Sequence, residues 1–412
     1  MLMNYAIILA VGEEVDMKVD LPKCAIPLLG KPMISYVLDE VKKTSVDQII
    51  CISNHQEELC TNIIQDVKVT QNLSIVNEIK DAGYTIILPG DMPLLHKNLV
   101  QGLIDTHIKN KNEITVGVTT AIEDDAMVPF AKELQCGVYC VNNFLLSKVF
   151  MQENDPFETI FTLCSSHKVG IYPMTDKLLK ICNLLDLSEV ETELRKSINK
   201  RHLLHGVRME NWETITIGPD VKIEPNTWIR SGSILLGNSE IHQGAVIGPN
   251  TEINNSKIME SAVVMQSLVN DSTVGKEAKI GPFTHLRMNT IIGDYDRIGN
   301  FVEIKNSVIG QKTNVSHLTY VGDTDCGSGV NFGCGVVTVN YDGKHKFRTT
   351  IGDNVFIGCN SNLIAPVKVE NGGFIAAGST ITEDLKEDDF AIARAKQVTK
   401  KGYAKKFGYK KV

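Results

Sequence analysis

The chain has no excess of positive charge: 42 Lys and Arg stand against 49 Asp and Glu, a formal net charge of −7 over 412 residues. That balance argues against a nucleic-acid binder, whose affinity rests on neutralising phosphates. No apolar run reaches membrane length, so no membrane span is expected. The 10 cysteines are scattered singly, with no Cys-x-x-Cys pair. No secretory leader is recognisable, because MLMNYAIILA reads as a buried strand that runs straight into a loop and helix. Reduced cysteines and a cytoplasmic location are therefore the expectation. What remains is the composition of an ordinary soluble globular protein, 43% apolar and 22% charged, with room for two cores.

A period of six residues organises the second half. Aliphatic residues recur at Ile217, Ile223, Ile229, Leu235, Ile241, Ile247 and Ile253, and again at Val274, Ile280, Leu286, Ile292, Ile298 and Ile304. The series slips one position to Ile309, Val315 and Val321, and returns after a gap as Ile351, Ile357, Leu363, Val369, Ile375 and Ile381. Neither a free helix nor an ordinary strand has this period. A coil with three short strands per circuit does: the aliphatic residue points inward, Gly, Asn or Asp turns the corner, and a small residue such as Val221, Thr227, Ala245, Thr251 or Val355 fills the second inward place. The expected fold is a left-handed parallel β-helix of hexapeptide repeats. Val339–Thr350 breaks the lattice and is expected to project as a loop.

The first half alternates apolar runs with helical patterns, which indicates an α/β, Rossmann-like domain with a mostly parallel sheet. Expected strands are Tyr5–Ala10, Gln48–Ser53, Thr85–Pro89, Ile114–Thr119, Cys136–Val141 and Val169–Tyr172, with a helix over Met33–Lys43. Ser188 and Glu191 have the spacing of a capping box that opens a polar helix. The expected organisation is a front domain over 1–185, a connecting helix over 186–205, the β-helix over 206–385 and a basic tail over 386–412. From Arg394 onward that tail carries eight Lys or Arg and no acid.

GPFTHLR, IGNFVEIK, SHLTYVGD, VNFGCGVVTVNYDGKHKF, APV and AAGSTIT follow one another over residues 281–382. They resemble the acetyltransferase half of the bacterial bifunctional N-acetylglucosamine-1-phosphate uridyltransferase/glucosamine-1-phosphate acetyltransferases. The chemistry fits the residue types: an amine attacking a thioester needs a base, and a sugar phosphate needs cations. The resemblance implies His317 as the base, with Arg287 and Lys305 holding the sugar phosphate. Glu303, Tyr320 and Asn331 would orient the sugar hydroxyls and amine. Lys346 would reach the substrate across a subunit boundary. Asn340, Tyr341, Cys359, Ala377 and Arg394 would line the path of acetyl-CoA, with Cys359 standing where relatives often have Ser. The family further implies a homotrimer. A zinc-dependent β-helix hydratase would need three His ligands, and His285 and His317 lie far apart in the lattice.

The opening LAVGEEVDMKVDLPKCAIPLLGKPMISYVL resembles the same family's nucleotide-binding strand, loop and helix. Gly12 matches the Gly-rich turn and Lys23 its second cation, but Glu14, Val15 and Asp16 replace the expected Gly, Thr and Arg. Glu13, Glu14 and Asp16 would then face a polyanion, a repulsion on the order of several kcal/mol. Asp91 in LPGDMPLL matches the metal-binding Asp, while its usual Asn partner aligns with Cys182, beside Asn183. A thiol serves Mg²⁺ poorly. The uridine-reading loop between Asn77 and Asp91 has no counterpart. PFAK and Gln135 stand where the acetamido-sugar contacts are expected.

Three functions are thus in view: an acetyl-CoA-dependent glucosamine-1-phosphate N-acetyltransferase with a degenerate front domain, the full bifunctional enzyme using Mg²⁺, or a sugar-phosphate and coenzyme sensor without turnover.

Overall fold

In the computed structural model the described residues are 3–11, 17–55, 67–119, 135–150, 155–174 and 180–408. The chain divides into two units, Met1–Ser197 and Ile198–Val412.

The first unit is built on a seven-stranded sheet. Its strands are β1 (Tyr5–Ala10), β2 (Gln48–Ser53), β3 (Lys68–Thr70), β4 (Tyr84–Pro89), β5 (Ile114–Thr119), β6 (Gln135–Asn142) and β7 (Val169–Met174). Their order across the sheet is β3-β2-β1-β4-β6-β5-β7, and β6 alone runs antiparallel to its neighbours. The alternation of strand side chains sorts the core into two layers. Ala6, Ile8, Cys51, Ile86 and Leu88 face the helices Met33–Val41 and Lys97–Asn110, whereas Tyr5, Ile7, Leu9, Ile50 and Ile87 pack with Leu145, Leu146, Val149 and Ile160 on the other side. A sheet covered on both faces explains why β4 is buried along its whole length. Strand order reverses between β1 and β4, and a ligand crevice is expected at the carboxyl ends of such neighbours.

The helix Leu184–Leu204 begins four residues before the expected capping box at Ser188. The actual box is Asn183 with Asp186. Asn183 Oδ1 accepts the Leu185 and Asp186 N–H groups at 2.8 and 3.1 Å, and the Asp186 carboxylate reaches back to Cys182 N at 2.8 Å and Asn183 N at 3.2 Å. Both arrangements have the same spacing. Asn183 prevails because nothing helical precedes it, while Ser188 lies a full turn inside.

The second unit is the left-handed parallel β-helix, with faces of 11, 10 and 9 strands. Ile229 stacks on Ile247, Leu235 on Ile253 and Ile223 on Ile241, one pair per face. The column of aliphatic residues is nearly all fully buried, and the small inward residues Thr227, Ala245 and Thr251 are at most 1% exposed. The apparent gap before Val274 is no break. Ile258, Val264 and Val269 continue the column, with every side but that from Ile258 to Val264 one residue shorter, pairing with Ile241, Ile247 and Ile253. Cys326, Phe332 and Thr338 likewise carry it from Val321 to the loop, in positions too polar or too aromatic for the aliphatic pattern to register.

His202, near the end of the long helix, is 7% exposed and its Nε2 has no hydrogen-bond partner. Burial, with the charges of Arg201 and His205, pushes its pKa down to about 4. The folded state therefore excludes a proton that the unfolded chain binds below about pH 6.5. Stability is full above that pH and is expected to fall by ~3 kcal/mol as pH drops from 6.5 toward 4. In His202→Leu this part of the acid slope should disappear from melting curves recorded across that range.

Candidate functional site

Successive coils bring most of the expected residues together. On one face, strands His285–Arg287, Glu303–Lys305, Tyr320–Gly322 and Val337–Val339 lie side by side. Their register stacks Arg287 on Lys305 on Gly322, and His285 on Glu303 on Tyr320 on Val337. The Arg287 guanidinium meets one Glu303 oxygen, with Nε at 2.7 Å and Nη2 at 2.6 Å. Lys305 is only 6% exposed and its Nζ lies 3.6 Å from Asp323 Oδ2.

His317 ends the strand Asn314–His317 on the neighbouring face and is exposed. Its Nδ1 lies 2.7 Å from Asn300 Oδ1, and Asn300 pairs with His317 one circuit away. An amide oxygen only accepts, so Nδ1 carries a proton, and in the neutral ring Nε2 is the nitrogen that presents a lone pair. The next corner leads to Tyr320. A Cβ added at Gly322 would fall 2.4 Å from Tyr320 Oη and 2.8 Å from Asn340 Nδ2. Only a glycine leaves room for both groups to lie over that backbone, so residues assigned to the sugar and to the coenzyme meet there.

Asn340 is buried and donates to Asp323 Oδ2, while Asn306 donates to Oδ1 at 2.5 Å. Burial alone would raise the Asp323 pKa, but these two amides and the Lys305 charge outweigh it and hold the carboxyl below its ordinary value. The loop expected from Val339 to Thr350 does project. Tyr341 and Lys346 form an isolated antiparallel bridge across it, and both are exposed. Arg348 fastens its base to Asp325 with Nε at 2.8 Å and Nη2 at 2.5 Å. Cys359 and Ala377 occupy matching corners of adjacent coils. Cys359 O accepts the Gly378 N–H at 2.7 Å, and Arg394 Nη1 donates to Ala377 O at 2.8 Å.

Asn331 is not brought beside His317. Within one chain it pairs with Asn314, at the other end of the strand that His317 terminates. Sequence reasoning passed over Asn300, Asn306 and Asp323, although two of them stand inside the quoted motifs. The signal is the coil length: Asn300 lies one circuit before His317, and Asn306 one circuit before Asp323.

In the first unit a pocket opens at the carboxyl ends of β1, β2 and β4, lined by Ala10, Val11, Lys23, Ser53, His55, Asp91 and Lys180. Gly12, Glu13, Glu14, Val15 and Asp16 lie outside the described residues, as does PFAK. Lys23 Nζ is 2.5 Å from Asp91 Oδ2, and the buried Asp91 Oδ1 has no hydrogen-bond partner. That oxygen suits a cation, but little else does. Among the described residues no cluster of three His, Cys, Asp or Glu could hold a metal. The Asn183 side-chain oxygen is already occupied in capping the helix. Among the described residues Mg²⁺, which favours several oxygen ligands, thus finds a single free carboxylate oxygen, and that donor set fits it poorly. The connection from Glu78 to β4 is only residues 79–83, with no room for a uridine-reading loop and helix.

Residues 6–134 match the MobA-like NTP transferase domain, 216–324 the GMPPB C-terminal domain, and 348–383 the bacterial transferase hexapeptide repeats. The bifunctional protein GlmU of Acholeplasma laidlawii is 42% identical, covering 98% of this chain and 97% of that protein. Those of an Exiguobacterium species and of Listeria monocytogenes are 37% and 36% identical, again over nearly all of both chains. The protein is therefore a two-part transferase, a nucleotidyltransferase fold followed by a hexapeptide β-helix. It belongs to the family of the bifunctional GlmU proteins. The alignment with the Acholeplasma protein spans 448 positions, more than the 412 residues here, so that relative carries segments this chain lacks.

The Lys23–Asp91 pair is the electrostatic anchor of the front pocket. Removing one member of a buried pair strands the other charge. Lys23→Met is expected to destabilise the first unit by ~3 kcal/mol, measured by denaturant unfolding of the full chain against the unsubstituted protein.

Proposed function

We propose that the β-helix half transfers acetyl from acetyl-CoA to the 2-amine of glucosamine-1-phosphate, with His317 as general base. The observation that carries this reading is the meeting of Tyr320 and Asn340 over Gly322, beside Lys305 and one corner from His317. His317 Nε2 takes the proton from the amine as its nitrogen attacks the thioester carbonyl carbon. The C–N bond forms, the tetrahedral intermediate collapses with cleavage of the C–S bond, and the proton passes to the departing thiolate. Lys305 and Arg287 hold the phosphate. Arg287 must exchange part of its Glu303 contact for it, which suits a guanidinium with several donors. Glu303 and Tyr320 orient the sugar, and Asn340, Tyr341, Cys359, Ala377 and Arg394 receive the coenzyme. The working form in this reading is a cytoplasmic homotrimer. Lys346 stands in solvent and Asn331 lies away from its own His317, so both are available to a neighbouring chain.

The same reading holds that the front domain does not transfer uridylyl groups, on the grounds of the poor Mg²⁺ donor set and the short 79–83 connection. The alternative, a full bifunctional enzyme, is favoured by the relatives' printed description as bifunctional. One assay separates them: Mg²⁺-dependent pyrophosphate release from UTP and N-acetylglucosamine-1-phosphate, with CoA thiol release from acetyl-CoA and glucosamine-1-phosphate as the companion. Thiol without pyrophosphate is the expected result. Pyrophosphate with thiol overturns the reading of the front domain, and absence of thiol overturns the acetyl-transfer assignment.

Asn300 fixes the His317 tautomer without touching substrate. Asn300→Ala should lower kcat by about 10- to 100-fold while leaving both KM values within about twofold, the pattern of a lost transition-state contribution. Steady-state thiol release at saturating substrates checks it.

A further inference from the structure

Asp323 has no role in the chemistry outlined above, yet it is 4% exposed and more heavily engaged than any residue assigned to that chemistry. Its carboxylate receives Asn306 at 2.5 Å and Asn340, and faces Lys305 Nζ at 3.6 Å. Its own N–H donates to Lys305 O at 3.0 Å, and its carbonyl accepts the Thr349 N–H at 3.1 Å. Lys305 belongs to the sugar-phosphate end of the site and Asn340 to the coenzyme end. Asn340 and Thr349 also flank the projecting loop that carries Tyr341 and Lys346. One residue thus grips both ends of the loop, Asn340 through its carboxylate and Thr349 through its carbonyl, and holds the buried cation as well.

We propose that Asp323 is a positioning residue that ties the sugar-phosphate and coenzyme subsites into one unit, through Lys305 on one side and Asn340 with its loop on the other. The proposal rests on the acetyl-transfer reading for the identity of the two ligands. Its physical basis is that a buried carboxylate held between two amides and an ammonium fixes those donors in place. Without it, the Lys305 and Asn340 side chains lose their common anchor. Each would then have to be ordered by its own ligand, at a cost to affinity.

Coupling of two subsites separates this from a local packing role. In Asp323→Asn one amide donor faces a donor, and Lys305 loses its counter-charge. The KM for glucosamine-1-phosphate and the KM for acetyl-CoA should both rise by about tenfold or more, with kcat reduced less than about fivefold. Lys305→Met should raise the first KM much more than the second, and Asn340→Ala the second much more than the first, because each removes a ligand contact as well as one partner of Asp323. Asn306→Ala, which trims one donor to Asp323 and touches neither ligand, should raise both by about threefold. It decides the matter if Asp323→Asn does not fold. A folded variant of Asp323 or Asn306 in which one KM moves alone, or neither moves, overturns the proposal. Calorimetric titration of glucosamine-1-phosphate and of acetyl-CoA into the same full-length variants reads the two affinities independently of turnover. A protein that releases no thiol would then refute the acetyl-transfer reading, while the paired affinities still judge Asp323.

Discussion

Registration of one coil on the next is the constraint from which the rest of the second unit follows. Every side is two to four residues of strand, far too short to be stable alone, and it persists because its N–H and C=O groups bond the coils on either side. The inward aliphatic column fixes the phase. A slip of one residue would turn Ile298, Ile304 and Val321 outward and bring charged neighbours in. Sides one residue short, as between Ile253 and Ile258, are tolerated because the corner absorbs the loss while the inward residue keeps its place. The functional groups are passengers on this register. His317 reaches Asn300, Tyr320 lies over Glu303, and Lys305 lies beside Arg287, because each pair is one circuit apart.

Three buried carboxylates show how differently the fold treats a charge removed from water. Asp323 has amides and an ammonium around it, and its pKa is lowered despite burial. Asp296 lies inside the coil, 1% exposed, and receives only the Gly293 and Thr313 N–H groups at 2.9 and 2.7 Å. Burial, aggravated by Asp294, outweighs those two bonds and pushes its pKa up to about 7. Asp91 has one oxygen on Lys23 and the other unmatched. The comparison follows from counting donors. Full hydrogen bonding keeps a buried carboxylate ionised, and partial bonding leaves a group that either takes a proton or seeks a cation. Of the three, Asp323 alone joins groups from separate coils and from the loop base.

The repeat was legible in the sequence because period six has no competing explanation, and the strands of the front sheet because both-face burial makes each a dense apolar run. Where reading failed, a local rule had two equally good places to act or a long-range partner was needed. Asn183 and Ser188 both offer a capping spacing, and only the chain preceding each tells them apart. Ile258 to Val269 dropped from the pattern because a fixed period was imposed on sides that vary by one. Most residues named by motif lie on neighbouring coils, Asn331 apart, but the residues that hold them were not foreseen. Asn300, Asn306 and Asp323 acquire meaning only when one knows which residue sits a circuit away. Short β3, three residues long, carries too little pattern to be seen at all.

The two halves also differ in how sequence change can reach function. In the front unit the core lies in the sheet and its covering helices, while the ligand crevice is rimmed by strand-end loops that contribute little to that core. A connection such as 79–83 can therefore be short without cost to Ile7, Ile86 or Leu88. In the β-helix no such separation exists. Lys305 neighbours the inward Ile304, Tyr320 neighbours Val321, and the Asn340 loop is tied to Asp323 within the coil wall itself. A substitution at Gly322 or Asp323 thus reaches the candidate site and the coil wall together.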